Sequence, residues 1–390
     1  MAPTIYSPFD PEVHADPYPH YRELREHDPV HRSEVDLWIL TRYDDIATLL
    51  RDPRLGHEVT QGFAGEGGSA DWESMLFRDP PAHTRLRSLV SKAFTPRVLE
   101  SLRTRIDNIV DDALGVAREN GTMDVIGDLA FPLPATVISE MLGLPVEDHQ
   151  QCRRWATSAT RSLDPLVDDR LMDEIFLSLI EFRQYLSEQV ERRRAQPGED
   201  LITALIAAEE QGERLSHEEL ISTLLLLFTA GHETATNLIG NGLLALLRNP
   251  DQLRRLKEDP GLMRPGLEEL LRYDSPVQFV IRIAKEPITV REQNFVRGDS
   301  MLLVIGAGNR DPEQFADPDS LDVGRKSIKH LSFGGGIHFC LGSVLARMEA
   351  QAVLGGLISQ FDELELATDD LRWRPHINLR GLESLPIRVG

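Results

Sequence analysis

The segment from Ser216 to Arg248 places the strongest constraint on the fold of this chain. Ser216 and Glu219 form a capping box, which marks the start of a helix, and Asn249-Pro250 supplies the stop. The helix between them would be about 50 Å long at ~1.5 Å per residue. Its first half, ISTLLLLFTAG, is apolar on nearly every side. A helix of this kind is buried all round, so it should cross the interior of the protein.

A polar cluster, Gly231-His232-Glu233-Thr234, interrupts this apolar helix. Burial of a polar group costs free energy unless the group forms hydrogen bonds, so a polar cluster on this helix indicates a specific structural or functional role. The His-Glu pair suggests an HExxH zinc site, in which a second histidine follows four residues after the first. Thr236 occupies that position, and the zinc hypothesis therefore fails.

The rest of the chain shows mainly helical periodicity. Apolar residues recur at i, i+3 and i+4 in long segments, among them 99–117, 171–190 and 341–361. Strand-like patterns are sparse and are found at 30–41, 279–290 and 301–305. The sequence therefore predicts a mainly α fold with a small β subdomain.

Composition excludes two classes of protein. Two cysteines, Cys152 and Cys340, are too few for the disulfide framework of a secreted scaffold. The 42 basic and 63 acidic residues give a net charge of −21, which argues against a surface built to hold nucleic acid. The N-terminus lacks a signal pattern, and the apolar stretch around 224–228 is broken before the ~18 residues needed to span a bilayer. We expect a soluble, cytoplasmic protein with no membrane partner.

Cys340 lies in a glycine-rich sequence, FGGGIHFCLG at 333–342, directly before an amphipathic helix. The dipole and free N–H groups of a helix start favour an anion, which lowers the pKa of a thiol and suits a thiolate ligand. Glycines at 334, 335, 336 and 342 would let the backbone approach a flat cofactor. A lone cysteine is more often a buried structural residue. That interpretation is kept for Cys152, which no motif surrounds.

These segments together resemble the cytochrome P-450 superfamily. The sequence at 333–342 fits the haem-binding pattern FGxGxxxCxG, and AGHET at 230–234 resembles the AGxET segment of the family's long central helix. Glu269 and Arg272 match the ExxR pair, and DPPAHTRLR at 79–87 resembles the start of a helix that flanks the haem. The resemblance covers essentially the whole chain and implies one domain, residues 1–390, with the P-450 fold.

The resemblance implies that the chain binds haem b through Cys340, the metal ligand. A thiolate raises the electron density at iron and favours O–O cleavage over reversible O2 binding. Arg325 would join Glu269 and Arg272 in a structural triad. The other implied cofactor-binding residues are Phe333, Gly334 and Gly342 in the loop and, for the two propionates, His83, Arg87, Arg282 and His338.

The AGHET segment supplies the implied catalytic residues. Glu233 and Thr234 would relay protons to the reacting oxygen through a hydroxyl, a carboxylate and ordered water. Ala230 and Gly231 are small and would leave room for O2 beside the helix. His232 is expected to face away and to be structural.

The implied function is a monooxygenase that hydroxylates or epoxidises an apolar small organic substrate. Electrons would come from NAD(P)H through a reductase and a ferredoxin or flavodoxin, since two cysteines cannot hold a fused Fe–S cluster. We expect a monomer with a role in bacterial secondary metabolism. Two alternatives stay open: a peroxygenase or oxidative-coupling enzyme on the same scaffold, and a non-catalytic haem-thiolate sensor.

The overall negative charge is unevenly distributed. Residues 85–105 include six basic side chains and one acid, Glu100, a local charge of +5. Arg325, Lys326 and Lys329 precede the cysteine loop and add to this positive charge. In the family both segments belong to the side of the haem where an acidic ferredoxin docks, so the resemblance implies electrostatic steering to this surface.

Overall fold

The structure is a computed structural model, and it describes residues 13, 15–33, 37–57, 74–161, 169–208 and 214–390. Its helices are α1 (Tyr18–His27), α2 (Tyr43–Leu49), α3 (Ala82–Ala93), α4 (Pro96–Asn120), α5 (Pro132–Leu142), α6 (His149–Thr160), α7 (Asp169–Ala195), α8 (Leu201–Ala207), α9 (His217–Arg248), α10 (Pro250–Glu258), α11 (Met263–Tyr273), α12 (Ile305–Gly308) and α13 (Ser343–Gln360). Its strands are β1 (Val30–Arg32), β2 (Trp38–Leu40), β3 (Leu55–Gly56), β4 (Thr122–Asp124), β5 (Val280–Ala284), β6 (Ile288–Val290), β7 (Gln293–Phe295), β8 (Ser300–Leu303), β9 (Leu364–Leu366) and β10 (Pro386–Val389). The predicted mainly α class with a small β part is confirmed.

The chain divides into two compact units. The first comprises residues 1–56, 109–130 and 234–390 and contains every strand named above, together with α1, α2 and α10–α13. The second comprises residues 57–108 and 131–233 and contains α3 and α5–α8. Helices α4 and α9 each contribute residues to both units. That residues 1–390 form a single domain stays a prediction.

The largest sheet of the first unit has five strands in the order β1-β2-β8-β5-β3. Strands β2 and β8 run parallel, with Ile39 opposite Leu302 and Leu40 opposite Leu303. Side chains alternate along a strand, so neighbours point to opposite faces. Leu40 and Leu303 accordingly join one buried cluster, while Ile39 and Leu302 join another with Tyr21 of α1. Burial of both faces explains why these strands are continuously apolar rather than alternating.

Two of the predicted strand segments each contain two separate strands in the structure. Residues 30–41 form the antiparallel pair β1 and β2, and residues 279–290 form β5 and β6, of which β6 pairs with β7 instead. The segment 301–305 ends as a strand at Leu303, because Ile305 begins α12. Strands β4, β10 and β9 form a second sheet that was not predicted. Strands of three or four residues are too short to show a period-2 pattern.

Helix α9 begins as the sequence predicts. Glu219 N–H donates to Ser216 Oγ at 3.1 Å, and Ser216 N–H donates to Glu219 Oε2 at 2.8 Å, which completes the capping box. Its first half packs against aromatic residues of the second unit. Phe182 of α7 lies edge-on to Phe228 of α9, with ring centroids 5.3 Å apart, and stacks on Trp155 of α6 at 5.4 Å. Three helices are thereby joined through one aromatic contact chain.

One described stretch, Val125–Leu142, is long and apolar enough to cross a membrane, and 67% of it is buried inside the protein. It consists of a π-helical segment, Val125–Ala130, followed closely by α5. This stretch is distinct from the apolar segment around 224–228, on which the prediction of no membrane span was based. Core helices of globular proteins have the same composition, so a mostly buried stretch is weak evidence for membrane insertion.

Candidate functional site

The loop at Cys340 lies in the first unit and is closed by its own backbone. Cys340 N–H donates to Phe333 O at 2.9 Å, and a short 3-10 turn, Gly336–His338, lies between the two residues. Helix α13 begins at Ser343 with Gly342 as its N-cap. The thiol is partly exposed and is not in a disulfide. The predicted placement of Cys340 just before a helix start is confirmed.

The glycines of this loop serve different purposes. Gly334 and Gly336 have φ of +68° and +65°, a region that glycine adopts without strain. A Cβ at Gly336 would also lie 2.6 Å from the carbonyl oxygen of Leu50, the residue that follows α2. A Cβ at Gly342 would meet no heavy atom within 4 Å. Gly336 is therefore required by packing inside the protein rather than by cofactor approach, whereas Gly342 borders open space that suits a flat cofactor.

An ion pair that sequence reasoning missed joins α13 to α11 beside this loop. Arg347 Nε and Nη2 donate to the two oxygens of Glu268 at 2.7 and 2.8 Å, and His330 Nε2 lies 3.0 Å from the same carboxylate. Burial raises the pKa of Glu268, but the hydrogen bonds from Arg347 and His330 outweigh it and lower the pKa to about 2. The Arg347 guanidinium also covers the Phe333 ring at 4.3 Å. Arg347 thus positions the first residue of the loop.

Glu269, Arg272 and Arg325 form the structural triad that the resemblance implied, with Glu269 and Arg272 fully buried and Arg325 partly buried. Glu269 accepts hydrogen bonds from Arg272 Nε at 2.7 Å and from Arg325 Nε at 3.1 Å. Arg272 also donates to the Asn309 carbonyl at 3.0 Å, and Asn309 Oδ1 accepts from Leu331 N–H at 2.7 Å. The network therefore extends to the residues just before the cysteine loop. Arg325 is engaged in it and is not an available surface charge.

The propionate candidates are distributed between the two units. In the first unit, Arg282 lies on β5, is 4% exposed and donates to Ile281 O at 2.9 Å, and His338 lies two residues before Cys340. In the second unit, His83 and Arg87 share one face of α3. Burial and the positive charge of Arg87 lower the pKa of the His83 imidazole. A neutral N–H donor beside a cation is suited to a carboxylate ligand.

The polar cluster of α9 has an accessible side and a buried side. Ala230 and Gly231 are exposed and Thr234 is partly exposed, whereas His232 and Glu233 are buried. A Cβ on Gly231 would meet no heavy atom within 4 Å. Residues three and four apart share one helix face, so the accessible residues Ala230, Gly231 and Thr234 lie on one face in the middle of the helix. The open space at Gly231 therefore lies on the same helix face as Thr234.

The two buried members of the cluster have partners in the second unit. The His232 ring lies against Phe131, with centroids 4.4 Å apart and Nε2 3.2 Å from Phe131 O, which agrees with the structural role expected for it. Glu233 accepts a hydrogen bond from the hydroxyl of Thr160 on α6, and both residues are 1% exposed. Sequence reasoning missed Thr160, because it belongs to no motif and lies 73 positions from Glu233.

A family model for cytochrome P450 matches residues 30–260 and 262–378. The chain belongs to the cytochrome P450 family. Cytochrome P450 107B1 of Saccharopolyspora erythraea is 42% identical over 98% of this chain and 97% of its own length. The polyketide biosynthesis cytochrome P450 PksS of Bacillus subtilis is 39% identical over 100% of both chains. The crystal structure of P450BioI in complex with hexadec-9Z-enoic acid ligated acyl carrier protein matches with a TM-score of 0.93 and 37% identity, over 97% of this chain and 99% of that one.

Membership of the cytochrome P450 family makes this protein a bacterial monooxygenase that uses a haem cofactor, with relatives in secondary metabolism. Cytochromes P450 generally act on apolar substrates and receive electrons from redox partners. The residues of the site fit a haem by their chemistry. In the first unit they are a partly exposed Cys340 before a helix start and the open space at Gly342. In the second unit they are the open space at Gly231 and the imidazole–guanidinium pair of His83 and Arg87.

Proposed function

We propose that Cys340 is the thiolate ligand of the iron of haem b and that the enzyme hydroxylates or epoxidises an apolar small organic molecule. The observation that carries this proposal is the closed glycine loop that holds Cys340 directly before α13. When bound, the haem supplies O2 activation at a thiolate-ligated iron, and the protein supplies orientation and protons.

The loop and the cationic residues would divide the task of holding the haem. Phe333, Gly334 and Gly342 would border the ring near the iron ligand, and the Arg347 contact keeps Phe333 in place. The propionates would be bound by charge-assisted hydrogen bonds from His83, Arg87, Arg282 and His338. The match of one family model to residues 30–260 and 262–378 supports the proposal that residues 1–390 form a single domain.

Protons would be held and moved by Glu233 and Thr234 on α9. The Thr160 hydroxyl donates to Glu233 and so fixes the position of this carboxylate. Thr234 follows directly in the chain and is more exposed than Glu233. Its hydroxyl can accept a proton on one side and donate one on the other, while Ala230 and Gly231 keep the neighbouring space clear for O2.

Two measurements test the iron ligand and the proton relay. The reduced protein with carbon monoxide should show the red-shifted thiolate band, and Cys340→Ser should abolish it. Absence of the band in the wild type would refute the ligand assignment. Thr234→Ala should keep NAD(P)H consumption but lower product formation about 100-fold, whereas the control Thr229→Ala on the same helix should stay coupled. A fully coupled Thr234→Ala enzyme would exclude the relay.

The two alternatives have distinct outcomes in the same experiments. A peroxygenase or coupling enzyme would form product with hydrogen peroxide as fast as with NAD(P)H and a redox partner. A sensor would show the thiolate band without steady NAD(P)H-dependent product formation. We expect neither outcome, because both Glu233 and Thr234 are present for O2 use.

We further propose that a ferredoxin or flavodoxin, reduced by an NAD(P)H-dependent reductase, docks at the cysteine loop of a cytoplasmic monomer. Exposed apolar residues of the first unit surround Cys340 in sequence: Ile337, Phe339 and Val344 are 52%, 43% and 53% exposed. Lys326 and Lys329 are exposed as well and would attract an acidic partner. The structure partly neutralises the basic segment 85–105 through ion pairs, which are Arg85–Glu219, Arg103–Glu100 and Arg105–Glu140.

Charge reversal tests the docking proposal. Lys326→Glu with Lys329→Glu should slow reduction by a ferredoxin, and added salt should diminish the difference from wild type. Reversal of Arg103 and Arg105 tests the basic segment in the same assay, and slower reduction is expected there too. Salt-independent rates equal to the wild type would remove the corresponding segment from the docking surface.

A further inference from the structure

The segment 330–332 leads directly into the cysteine loop and is hydrogen-bonded to two other parts of the first unit. Leu331 N–H donates to Asn309 Oδ1 at 2.7 Å, and Asn309 Nδ2 donates to Ser332 Oγ at 2.9 Å. Ser332 Oγ in turn donates to the carbonyl oxygen of Leu271 on α11 at 2.7 Å. The backbone therefore enters the loop from a fixed position.

His330 uses both nitrogens of its imidazole ring in this segment. Ser332 N–H donates to His330 Nδ1 at 3.1 Å, and His330 Nε2 lies 3.0 Å from Glu268 Oε2. A ring nitrogen that accepts from an N–H group carries no proton of its own, so the ring proton is on Nε2, which donates it to the carboxylate. The side chain is 5% exposed, so water has little access to either bond. The geometry therefore fixes both the tautomer and the orientation of the ring.

The carboxylate of Glu268 joins the two ends of the cysteine loop. Arg347 lies on α13, which begins directly after the loop, and it donates to both oxygens of Glu268. His330 lies three residues before Phe333, where the loop begins, and it donates to one of the same oxygens. Hydrogen bonds to a charged group are about twice as strong as those between neutral groups. The two ends of the loop therefore cannot separate unless one of these strong bonds breaks.

The backbone connects the His330 ring to Cys340. Ser332, whose N–H donates to the ring, directly precedes Phe333, and the Phe333 carbonyl oxygen accepts from Cys340 N–H at 2.9 Å. The rings of Phe333 and His330 are also close, with centroids 5.7 Å apart. A movement of residue 332 would therefore displace the acceptor that closes the loop, and the cysteine with it.

We propose that His330 is a positioning residue for the Cys340 thiolate and that it acts through both of its hydrogen bonds. The bond from Ser332 N–H fixes the backbone that carries Phe333. The bond to Glu268 joins this backbone to the helix on the other side of the loop. The proposal rests on the proposed assignment of Cys340 as the iron ligand, and it adds a residue that does not itself touch the haem-binding groups of the loop.

Three substitutions separate the two bonds of the His330 ring. In His330→Asn the amide oxygen replaces Nδ1 and still accepts from Ser332 N–H, as in the turns that asparagine forms with the residue two positions on, but the side chain is too short to reach Glu268. His330→Gln keeps an N–H donor near the position of Nε2 and loses the acceptor for Ser332 N–H. His330→Ala loses both bonds.

The decay rate of the thiolate band, measured in the reduced carbon monoxide complex without denaturant, reports how well the loop retains the ligand. If the bonds break when the loop opens, His330→Gln should accelerate the decay by about 2- to 12-fold and His330→Asn, which loses a bond to a charged group, by about 10- to 150-fold. His330→Ala should decay faster than either. The control Tyr18→Phe removes a hydrogen bond to Asp274 elsewhere in the first unit and should decay like the wild type.

A wild-type decay rate in either His330→Asn or His330→Gln would overturn the proposal that both bonds position the thiolate. Equal acceleration in Tyr18→Phe would also overturn it, because a general loss of stability would then explain the effect. Far-ultraviolet circular dichroism confirms that each variant is folded, and the two variants that keep one bond decide the outcome if His330→Ala does not fold. Absence of the thiolate band in the wild type would instead refute the assignment of Cys340, so the two failures are distinguishable.

Discussion

Alanine substitutions at Gly336 and Gly334 should differ in cost although both glycines belong to the same motif. Their φ values of +65° and +68° are nearly equal, so the strain of placing alanine in the left-handed region, about 1–2 kcal/mol, is common to both. The new Cβ at Gly334 would have its nearest neighbour at 3.9 Å, the His338 carbonyl oxygen. The one at Gly336 would lie 2.6 Å from Leu50 O, well inside the ~3.3 Å at which C–H···O contacts are found.

The contact with Leu50 cannot be relieved by a side-chain rotation, because the obstructing atom is a main-chain oxygen. The segment after α2 or the loop itself must move, and such overpacking costs about 1–3 kcal/mol. We therefore expect Gly334→Ala to lower the free energy of unfolding by about 1–2 kcal/mol and Gly336→Ala by about 2–5 kcal/mol. The difference between the two variants isolates the Leu50 contact, because the conformational strain cancels.

Urea unfolding of the haem-loaded proteins, followed by far-ultraviolet circular dichroism, measures both free energies. Loss of the thiolate band in the same titrations reports whether the cysteine loop opens with the rest of the protein. Free energies that agree within about 0.5 kcal/mol, or a larger loss for Gly334→Ala, would refute the conclusion that packing against Leu50 requires glycine at position 336.

Three further predictions concern buried polar groups. Thr160→Val removes the hydrogen-bond donor to buried Glu233 with little change in side-chain shape, so the free energy of unfolding in urea should fall by about 1–3 kcal/mol. Thr160→Ser should retain most of the wild-type value. A urea midpoint of Thr160→Val equal to that of the wild type would contradict this prediction. Burial raises the pKa of Glu349 from its ordinary 4.5 to about 8, so its contribution to stability is present below pH 4.5 and is lost as the pH rises through 8. Glu349→Gln should remove a decline of about 5 kcal/mol in the free energy of unfolding and be the more stable protein near pH 9. A variant whose stability declines with pH like that of the wild type would exclude the effect. The pKa of Glu268 is lowered to about 2, so its contribution is present above pH 4.5 and is lost as the pH falls through 2. In urea titrations at a series of pH values, Glu268→Gln should lower the free energy of unfolding by about 2–3 kcal/mol at pH 7 but by little near pH 2. A loss of the same size at every pH would contradict the electrostatic explanation and indicate an effect of packing.

The parts of the site that sequence predicts are those built from neighbouring residues. The capping box at Ser216 and Glu219 satisfies its own backbone groups, so the start of α9 is encoded locally even though Glu219 also pairs with Arg85 of α3. The loop at Cys340 is likewise closed by a hydrogen bond to Phe333, seven residues earlier. Local hydrogen bonding and helical periodicity are encoded over short stretches, and they therefore revealed the mainly α class and the segments that resemble the family.

Tertiary structure alone decided which distant side chains support those segments. Thr160 contacts Glu233, Arg347 contacts Glu268 across 79 positions, and Leu50 sets the requirement for Gly336. No spacing rule links such residues, because their proximity arises from the path of the whole chain through space. Sequence by itself determined the chemical groups at the candidate site and the helix and loop that carry them. Packing of separate elements determined how those groups are held and which charges are neutralised, as in the pairing of Arg325 with Glu269.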